Sequence, residues 1–355
     1  MCQKFAGLVP DMTFRSVTHA EPPLKVAVLI PAYNVERYLG ACLDSLLAQA
    51  MPVDIFCCDD GSTDGTGRIL DEYAARFPRV NAFHHPNRGM SATYNRLLDE
   101  LPPEYDAFGI VDSDDYVHPE MYATLAAALQ REDADVAECG IVATAADDVP
   151  PAGFAAKETA DLPRTIDDMS VYWVRRTAPS GWISKWNKLY RRSACGTFRF
   201  RVGLDYEDDF FFATEVNAAI RRKVIVPQKY YAYRRNPNSL NGRINFRKYL
   251  SSAALRLRLS CETFLAPGRV PKRLEAEWRR DWAKDAYRML IRKNLKKNPD
   301  AALRRELFRT AGERLKDLMR DFGVGLDGLN PMQRLICRCC LRGRYALARL
   351  LVALT

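Results

Sequence analysis

The amino-acid sequence predicts an α/β fold, in which a Rossmann-like, mostly parallel sheet is flanked by helices and followed by a C-terminal helical extension. Short apolar runs alternate with amphipathic segments through the first 125 residues. This alternation is typical of parallel βαβ units with right-handed crossovers. Polar motifs follow the apolar runs, at the positions where the carboxyl ends of parallel strands form a ligand crevice.

The individual elements follow from the hydrophobic pattern. The run LKVAVLIPAYN at 24–34 is almost continuously apolar, as expected of a strand buried on both faces. Residues 36–49 place their apolar side chains on one stripe of a predicted helix. The scheme of strand, polar turn and helix recurs at 53–77 and 80–101, and the next predicted strand is 107–115.

The composition favours a two-domain protein with reduced thiols. A chain of 355 residues, 48% of them hydrophobic, can bury a sizeable core. Its ten cysteines show no paired C-x-x-C spacings, since only Cys337 and Cys340 are spaced in this way, and none of its four histidines lies beyond His118. These patterns argue against a disulfide framework or a zinc site and favour the cytoplasm. We expect residues 1–22 to be a leader without a signal-peptide core, and no apolar run is long enough to predict a membrane-spanning helix.

Charge is distributed unevenly along the chain. Residues 241–355 contain 27 Lys and Arg against 11 Asp and Glu, a net charge of +16, whereas residues 1–240 carry −7. An acidic front half joined to a basic tail suggests two roles in one chain. The partner of the tail should be anionic: a phosphorylated substrate, a membrane surface or a nucleic acid.

The stretch FGIVDSDDYVHPEMY at 108–122 crowds Asp112, Asp114 and Asp115 directly after an apolar run. Carboxylates this close repel one another, at a cost that rises as they leave water. In extended chain Asp112 and Asp114 would point to the same side, and their hard oxygens favour Mg²⁺ or Mn²⁺ bound together with substrate phosphates. The alternative is a solvated turn with an acid near the start of the helix after Pro119.

Four motifs, PAYNVERYLGACLDSLL, DDGSTDGT, NRGMSATYN and VDSDDYVHPEMY, occur in that order. Together they resemble the family 2 glycosyltransferases of GT-A fold, of the type that builds bacterial polysaccharides and cell-surface glycans. Looser resemblance continues through WNKLYRR, YEDDFF and YYAYRRNPNSL. The resemblance implies a catalytic domain at 23–240, with a nucleotide-sugar half at 23–140 and an acceptor half at 165–240, before a basic helical extension at 241–355.

The resemblance also implies how a nucleotide sugar is bound. Tyr33 would stack on the base, Glu36 would accept a ribose hydroxyl, and Asp60 would accept the uracil imide N–H. The alternatives are that Glu36 only favours a helix N-terminus and that the acids beside Gly61 only form an Asx turn. Arg234 and Ser239 would belong to a loop that closes on the diphosphate, with a solvated basic turn as the alternative. The full implied set is Pro31, Ala32, Tyr33, Glu36, Asp60, Asn87, Gly89, Asp112, Ser113, Arg234 and Ser239.

One position departs from the family pattern within NRGMSATYN. The family commonly has Ala-Arg-Asn where this chain has Thr93, Tyr94 and Asn95. The hydrogen bonding that the arginine would supply near the nucleotide or sugar must therefore be replaced or lost.

The resemblance implies the reacting groups as well. Asp112 and Asp114 would hold Mn²⁺ or Mg²⁺, with Asp114 the direct ligand, so that the metal neutralises charge on the leaving diphosphate. Asp208 would be the general base of an inverting displacement, with Glu207 orienting the acceptor. The alternative is that these acids only favour the first turn of the helix that follows.

The sequence thus predicts transfer of a sugar, UDP-linked by preference, to a hydroxyl of a glycan or lipid-linked acceptor. One alternative is a sugar-1-phosphate nucleotidyltransferase, but no Gly- and Arg-rich triphosphate loop lies near the N-terminus. Another is a basic nucleic-acid-binding protein. The tail lacks interleaved aromatic and basic residues, so no nucleic-acid partner is expected.

Residues 331–355 contain five arginines and no acid. The pattern predicts a helix in which Gly343 weakens helix formation by about 1 kcal/mol without ending it. Such a helix could lie on an anionic membrane, which would suit a lipid-linked acceptor and place the protein peripherally at the inner face of the cell membrane. The alternative is a helix packed on the catalytic domain with its arginines solvated.

Overall fold

The computed structural model describes residues 23–145, 164–169, 184–204, 206, 208–235, 244–267 and 271–354. The expected leader and two of the implied site residues, Glu207 and Ser239, lie outside the described residues.

One mixed sheet organises the front part of the chain, and it confirms the predicted α/β class. Its strands are β1 (Val26–Ala32), β2 (Asp54–Asp59), β3 (Val80–His84), β4 (Ala107–Ile110), β5 (Tyr116–Val117), β6 (Val136–Thr144), β7 (Arg164–Ile166), β8 (Lys188–Arg191) and β9 (Lys223–Arg234). They follow the order β3-β2-β1-β4-β8-β6-β9-β5, with β7 paired to β9. The first four strands are mutually parallel, as is the β6–β9 pair, whereas β8 runs antiparallel to both of its neighbours.

Helices cover this sheet and then form the C-terminal extension. They are α1 (Leu39–Leu47), α2 (Thr66–Arg76), α3 (Met90–Glu100), α4 (Met121–Arg131), α5 (Arg192–Cys195), α6 (Asp208–Ala219), α7 (Phe246–Phe264), α8 (Lys272–Ala286), α9 (Lys293–Lys297), α10 (Ala301–Phe322), α11 (Pro331–Leu341) and α12 (Tyr345–Ala353). A π-helical turn at Tyr287–Arg292 joins α8 to α9.

Two predicted boundaries near the sheet edge are wrong. β4 ends at Ile110, and the Asp112 carbonyl accepts a hydrogen bond from the Asp115 N–H at 3.0 Å. The acidic motif is therefore a turn and not extended chain. The Val35 carbonyl accepts hydrogen bonds within a turn that precedes the helix, so α1 begins only at Leu39. Glu36 therefore lies before the helix.

The apolar residues form two clusters, and one helix contributes to both. The first cluster is built from the sheet and its covering helices, and the second from the helices after residue 244. On α6, Phe212 belongs to the first cluster and Phe210 to the second. The start of α6, at Asp208, is thus fixed where the two cores meet.

The C-terminal segment is two helices, so the predicted single helix through Gly343 is wrong. Gly343 has a φ of +68°, a left-handed conformation that ends α11 and that glycine adopts at no steric cost. Ile336 and Val352 are buried in the second core. Within the described residues, no helix is long and apolar enough to cross a membrane.

Candidate active site

The turn after β1 presents one aromatic ring to solvent. Pro31 and Ala32 are buried at the end of the strand, whereas the Tyr33 side chain is 48% exposed. Asn34 has a φ of +52°, its N–H donates to Ser62 Oγ at 2.9 Å, and its Oδ1 accepts the Thr63 N–H at 2.8 Å. These bonds fix the turn after β1 against the turn after β2, with the ring of Tyr33 available for stacking.

Glu36 is bound to the second turn. Its Oε2 accepts the N–H of Gly65 at 2.7 Å, and Gly65 directly precedes α2. The carboxylate therefore satisfies a donor at the N-terminus of α2, and not of the helix that follows it in sequence. Its role toward a ribose remains a prediction.

Asp60 organises the turn before α3. It is 3% exposed and accepts the N–H groups of Arg88 at 2.8 Å and Gly89 at 3.0 Å. Gly89, at φ +86°, precedes α3, and Asn87 is exposed beside it. Each carboxylate oxygen has a second lone pair, so binding of a uracil N–H by Asp60 remains a prediction.

Asp112 is the donor-side acid of the site. It is half-buried, and its Oδ1 accepts the hydroxyl of Tyr94 at 2.8 Å. Tyr94, which stands where the resemblance predicts an arginine, is fully buried in α3. Asp112 is thus contacted from α3 by the neutral hydroxyl of Tyr94, where the resemblance predicts a positively charged arginine. Ser113, the next residue, is buried in the same turn.

Asp115 anchors the acidic turn to β9. It is 1% exposed and accepts the Tyr231 hydroxyl at 2.8 Å and the Arg234 N–H at 2.7 Å. Burial and the neighbouring Asp114 and Asp112 raise the pKa of Asp115 well above its usual range. Its contacts are therefore those of a structural group that holds the other two acids in place.

The acidic turn fits a metal only as part of a ternary site. The described residues include no cluster of three or more His, Cys, Asp or Glu that could hold an ion by themselves. Asp112 and Asp114 supply two hard carboxylates. Mg²⁺ and Mn²⁺ commonly take their remaining ligands from water and substrate phosphates, so the donor set is compatible with an ion that arrives with a nucleotide.

Lys185 is the residue that the sequence analysis missed. Its side chain is 3% exposed, and its Nζ lies 3.9 Å from Asp112 Oδ1, 3.3 Å from Asp208 Oδ2 and in hydrogen-bond contact with Asp209. Burial opposes the charge, but these three carboxylates raise the pKa of Lys185 well above its usual value. In sequence it is one of two lysines flanking Trp186 and Asn187, a pattern equally typical of a basic surface.

The strand pairing explains this position. β4 and β8 are antiparallel, with Gly109 opposite Leu189. Continuing that register brings the residues before β8 beside the residues after β4, which places Lys185 next to Asp112.

The acceptor side of the site is the first turn of α6. Asp208 is 17% exposed in its side chain, and its Oδ2 is a buried atom that accepts no hydrogen bond among the described residues. Burial raises the pKa of Asp209 to about 7, against the opposing effect of Lys185. The Oδ2 of Asp208 also lies 3.3 Å from the Nζ of Lys185. A carboxylate oxygen has two lone pairs, so it can still accept a hydrogen bond from a substrate hydroxyl.

Arg234 is placed deeper than the implied diphosphate-binding role would suggest. It is 4% exposed, and its guanidinium lies 4.9 Å from the ring centre of Tyr38 and 5.3 Å from that of Tyr116. Its Nε donates no hydrogen bond within the described residues. Contact with a diphosphate remains a prediction.

A second buried charge cluster supports the turn that carries Lys185. Glu138 is paired with Lys188 and Lys223, and all three side chains are at most 3% exposed. Lys188 also donates to the Ser184 carbonyl at 2.6 Å, and the Tyr190 hydroxyl donates to the Lys185 carbonyl at 2.8 Å. The backbone at Lys185 is therefore held without help from its own ammonium.

Solved structures identify the architecture. TarS of S. aureus, residues 1–349 solved in complex with UDP-GlcNAc, superposes with a TM-score of 0.68 over 93% of this chain and 91% of that one, at 17% identity. This likeness confirms the GT-A fold with its C-terminal helices.

Sequence comparisons identify the family. An uncharacterized glycosyltransferase named EpsJ from Bacillus subtilis is 30% identical over 225 residues, 61% of this chain and 62% of that protein, and so less than two thirds of its length. The chondroitin synthase of Escherichia coli is 39% identical over 106 residues, 30% of this chain and 15% of that protein. The family model described as glycosyl transferase family 2 matches residues 27–226, more than half of the chain. The chain belongs to glycosyl transferase family 2.

Proposed function

We propose that this protein transfers a sugar from a nucleotide diphosphate, UDP by preference, to a hydroxyl of a glycan or lipid-linked acceptor with inversion at the anomeric carbon. The observation that carries the proposal is the meeting of two acids from separate elements. Asp112, in the turn after β4, and Asp208, at the start of α6, lie 3.9 and 3.3 Å from one ammonium, that of Lys185. A donor-side acid and a candidate base thus face the same small space.

The donor would lie along the carboxyl ends of the parallel strands. Tyr33 offers an exposed ring for the base, and Asp60 keeps acceptor capacity for the uracil N–H. Asp112 and Asp114 would hold Mn²⁺ or Mg²⁺, which supplies charge neutralisation at the leaving diphosphate when bound. Asp208 would take the proton of the attacking hydroxyl through Oδ2, which lies 3.3 Å from the Lys185 ammonium and accepts no hydrogen bond among the described residues.

Donor binding tests the proposal directly. We expect thermal shifts measured with UDP-, GDP-, dTDP- and CDP-sugars to select the UDP-sugars, and only in the presence of Mn²⁺. A ligand at a hundredfold excess over its Kd stabilises the native state by about 2.7 kcal/mol, which is readily measured. Asp114→Asn should remove the Mn²⁺-dependent part of the shift. Unchanged Mn²⁺-dependent UDP binding in that variant would show that the metal lies elsewhere.

We also propose that the C-terminal hairpin of helices contacts an anionic membrane surface. Leu347 and Leu350 are 40% and 61% exposed, one turn apart on α12, and Leu354 beside them is 71% exposed. Arg338 and Arg342 are exposed on and next to α11, with no acidic partner in the described part of the chain. Exposed apolar side chains on α12, together with unpaired arginines on and next to the helix it packs against, match the chemistry of an anionic lipid interface, where each basic residue contributes about 1 kcal/mol.

Vesicle cosedimentation tests this surface. The intact protein should bind phosphatidylglycerol vesicles at low salt and lose most of that binding in the Leu347→Gln/Leu350→Gln variant. Leu255→Gln is the matched control, because Leu255 is also exposed, at 38%, but lies on α7. If the intact protein does not bind anionic vesicles at low salt, the proposed membrane contact of the hairpin is wrong.

A further inference from the structure

One buried cation stands between the two sides of the site. Lys185 contacts Asp112 on the donor side and both Asp208 and Asp209 on the acceptor side. No other Lys or Arg in the described residues forms an ion pair with these three carboxylates. Its Nζ also lies 5.1 Å from the ring centre of Tyr94, the neutral partner of Asp112. The positive charge at this junction thus comes from the acceptor half of the chain.

The ammonium of Lys185 is not needed to build the turn that carries it. Hydrogen bonds to the carbonyls of Ser184 and Lys185, from Lys188 and Tyr190, fix the backbone. The Ser184 hydroxyl adds a bond to Asn187 Oδ1 at 2.7 Å. A buried charge that the local fold does not require, in contact with three acids of a candidate site, is better explained by what it does to those acids.

We propose that Lys185 is a positioning residue that holds the acceptor-side carboxylates away from the metal and in place for the acceptor. This inference rests on the proposed function. A divalent ion at Asp112 and Asp114 and an ammonium in contact with Asp112 repel each other. The ammonium also occupies Asp208 and Asp209, which are otherwise free to join the ion as extra oxygen ligands. Lys185 therefore weakens metal binding while it keeps Asp208 directed to the incoming hydroxyl.

The proposal predicts that loss of the ammonium raises the affinity for the metal and lowers turnover. Lys185→Met keeps most of the length of the side chain without its charge. In this variant the Kd for Mn²⁺ in the presence of UDP, measured by titration calorimetry, should fall several-fold. At saturating Mn²⁺ and donor, kcat should fall at least tenfold. A purely structural lysine would instead weaken metal binding and turnover together, or change neither, and either result would overturn the proposal.

Two further variants keep the test decisive. Lys223→Met removes another fully buried lysine, paired with Glu138 and not with the acids of the site. It should lower the melting temperature and leave the Kd for Mn²⁺ within about threefold of the wild type, as expected for a loss confined to a structural ion pair. If Lys185→Met does not fold, the double variant Lys185→Met/Asp209→Asn removes one charge of each sign. It should likewise bind Mn²⁺ more tightly and have a lower kcat than the wild type. If the wild type itself shows no Mn²⁺-dependent binding of UDP, the proposed function is wrong and the role of Lys185 fails with it. If the wild type binds UDP with Mn²⁺ and the Lys185 variants do not show the two opposite changes, only the role of Lys185 is wrong.

Discussion

The two sides of the site are built with different chemistry. On the donor side, Asp60 and Glu36 accept backbone N–H groups, at the turn before α3 and at the start of α2. On the acceptor side, buried charges face one another, with Lys185 among the acids of α6 and Glu138 between two lysines.

This difference predicts how each side responds when one of its charged residues is substituted. A backbone N–H is fixed by the fold and carries no net charge, so neutralising Asp60 or Glu36 weakens hydrogen bonds without exposing a buried ammonium. A buried ion pair that loses one partner leaves an uncompensated charge, at a typical cost of about 3–5 kcal/mol. The acceptor side should therefore be the more sensitive of the two.

The largest expected effect is on turnover, at Asp208. A positioned general base typically contributes about 10²- to 10⁴-fold, so Asp208→Asn should lower kcat by that factor. Binding of UDP with Mn²⁺ should change by less than a few-fold, because the donor side is intact. Steady-state kinetics and calorimetry on the same preparation separate the two effects. A variant that keeps turnover within a few-fold would place the base elsewhere, and Asp209 would be tested next.

The second effect is on stability and compares one acid from each side. Glu138→Gln leaves Lys188 and Lys223 buried without their carboxylate and should lower the free energy of unfolding by about 3–5 kcal/mol. Asp60→Asn loses a charge-assisted hydrogen bond and should cost about 1.5–3 kcal/mol. Urea denaturation measures the loss in free energy of unfolding of each variant and so shows which loss is larger. Equal losses, or a larger loss at Asp60, would contradict the contrast between the two sides.

The smallest effect is a pH dependence confined to the acceptor side. Burial lowers the pKa of Lys188 to about 8, from 10.5. Between these values the unfolded chain holds a proton that the native protein releases, so the contribution of Lys188 to stability rises with pH. The slope is at most about 1.4 kcal/mol per pH unit. Below pH 8 this slope is absent.

Comparison with a variant isolates that group. The free energy of unfolding of the wild type, minus that of Lys188→Met, should increase from pH 8 to 10 in urea titrations at constant ionic strength. The donor-side variant Asp60→Asn provides the control. Its free energy of unfolding should change with pH in parallel with that of the wild type over this range. Parallel curves for Lys188→Met as well would show that Lys188 titrates normally.

Much of the donor side could be predicted from the sequence. The strands β1 to β4, the turns after them and the acidic motif all follow from apolar runs and polar turn residues that lie close together in the chain. The errors were local. Asp112 and Asp114 lie in a turn because the chain folds back on itself at Asp115. Gly343 ends a helix because its left-handed conformation lets the N–H groups of Gly343 and Arg344 donate to the last carbonyls of α11.

By itself, the sequence determined the α/β class, the family and the edge of the sheet where the polar motifs meet, because hydrophobic period and turn chemistry act over a few residues. Only the tertiary structure decided which charges face one another. The antiparallel pairing of β8 with β4 brings Lys185 beside Asp112, and the two cores fix Asp208 within 3.3 Å of the same ammonium. Coulombic contacts depend on distance in space, and residues far apart in the chain acquire that distance only when the sheet order is complete.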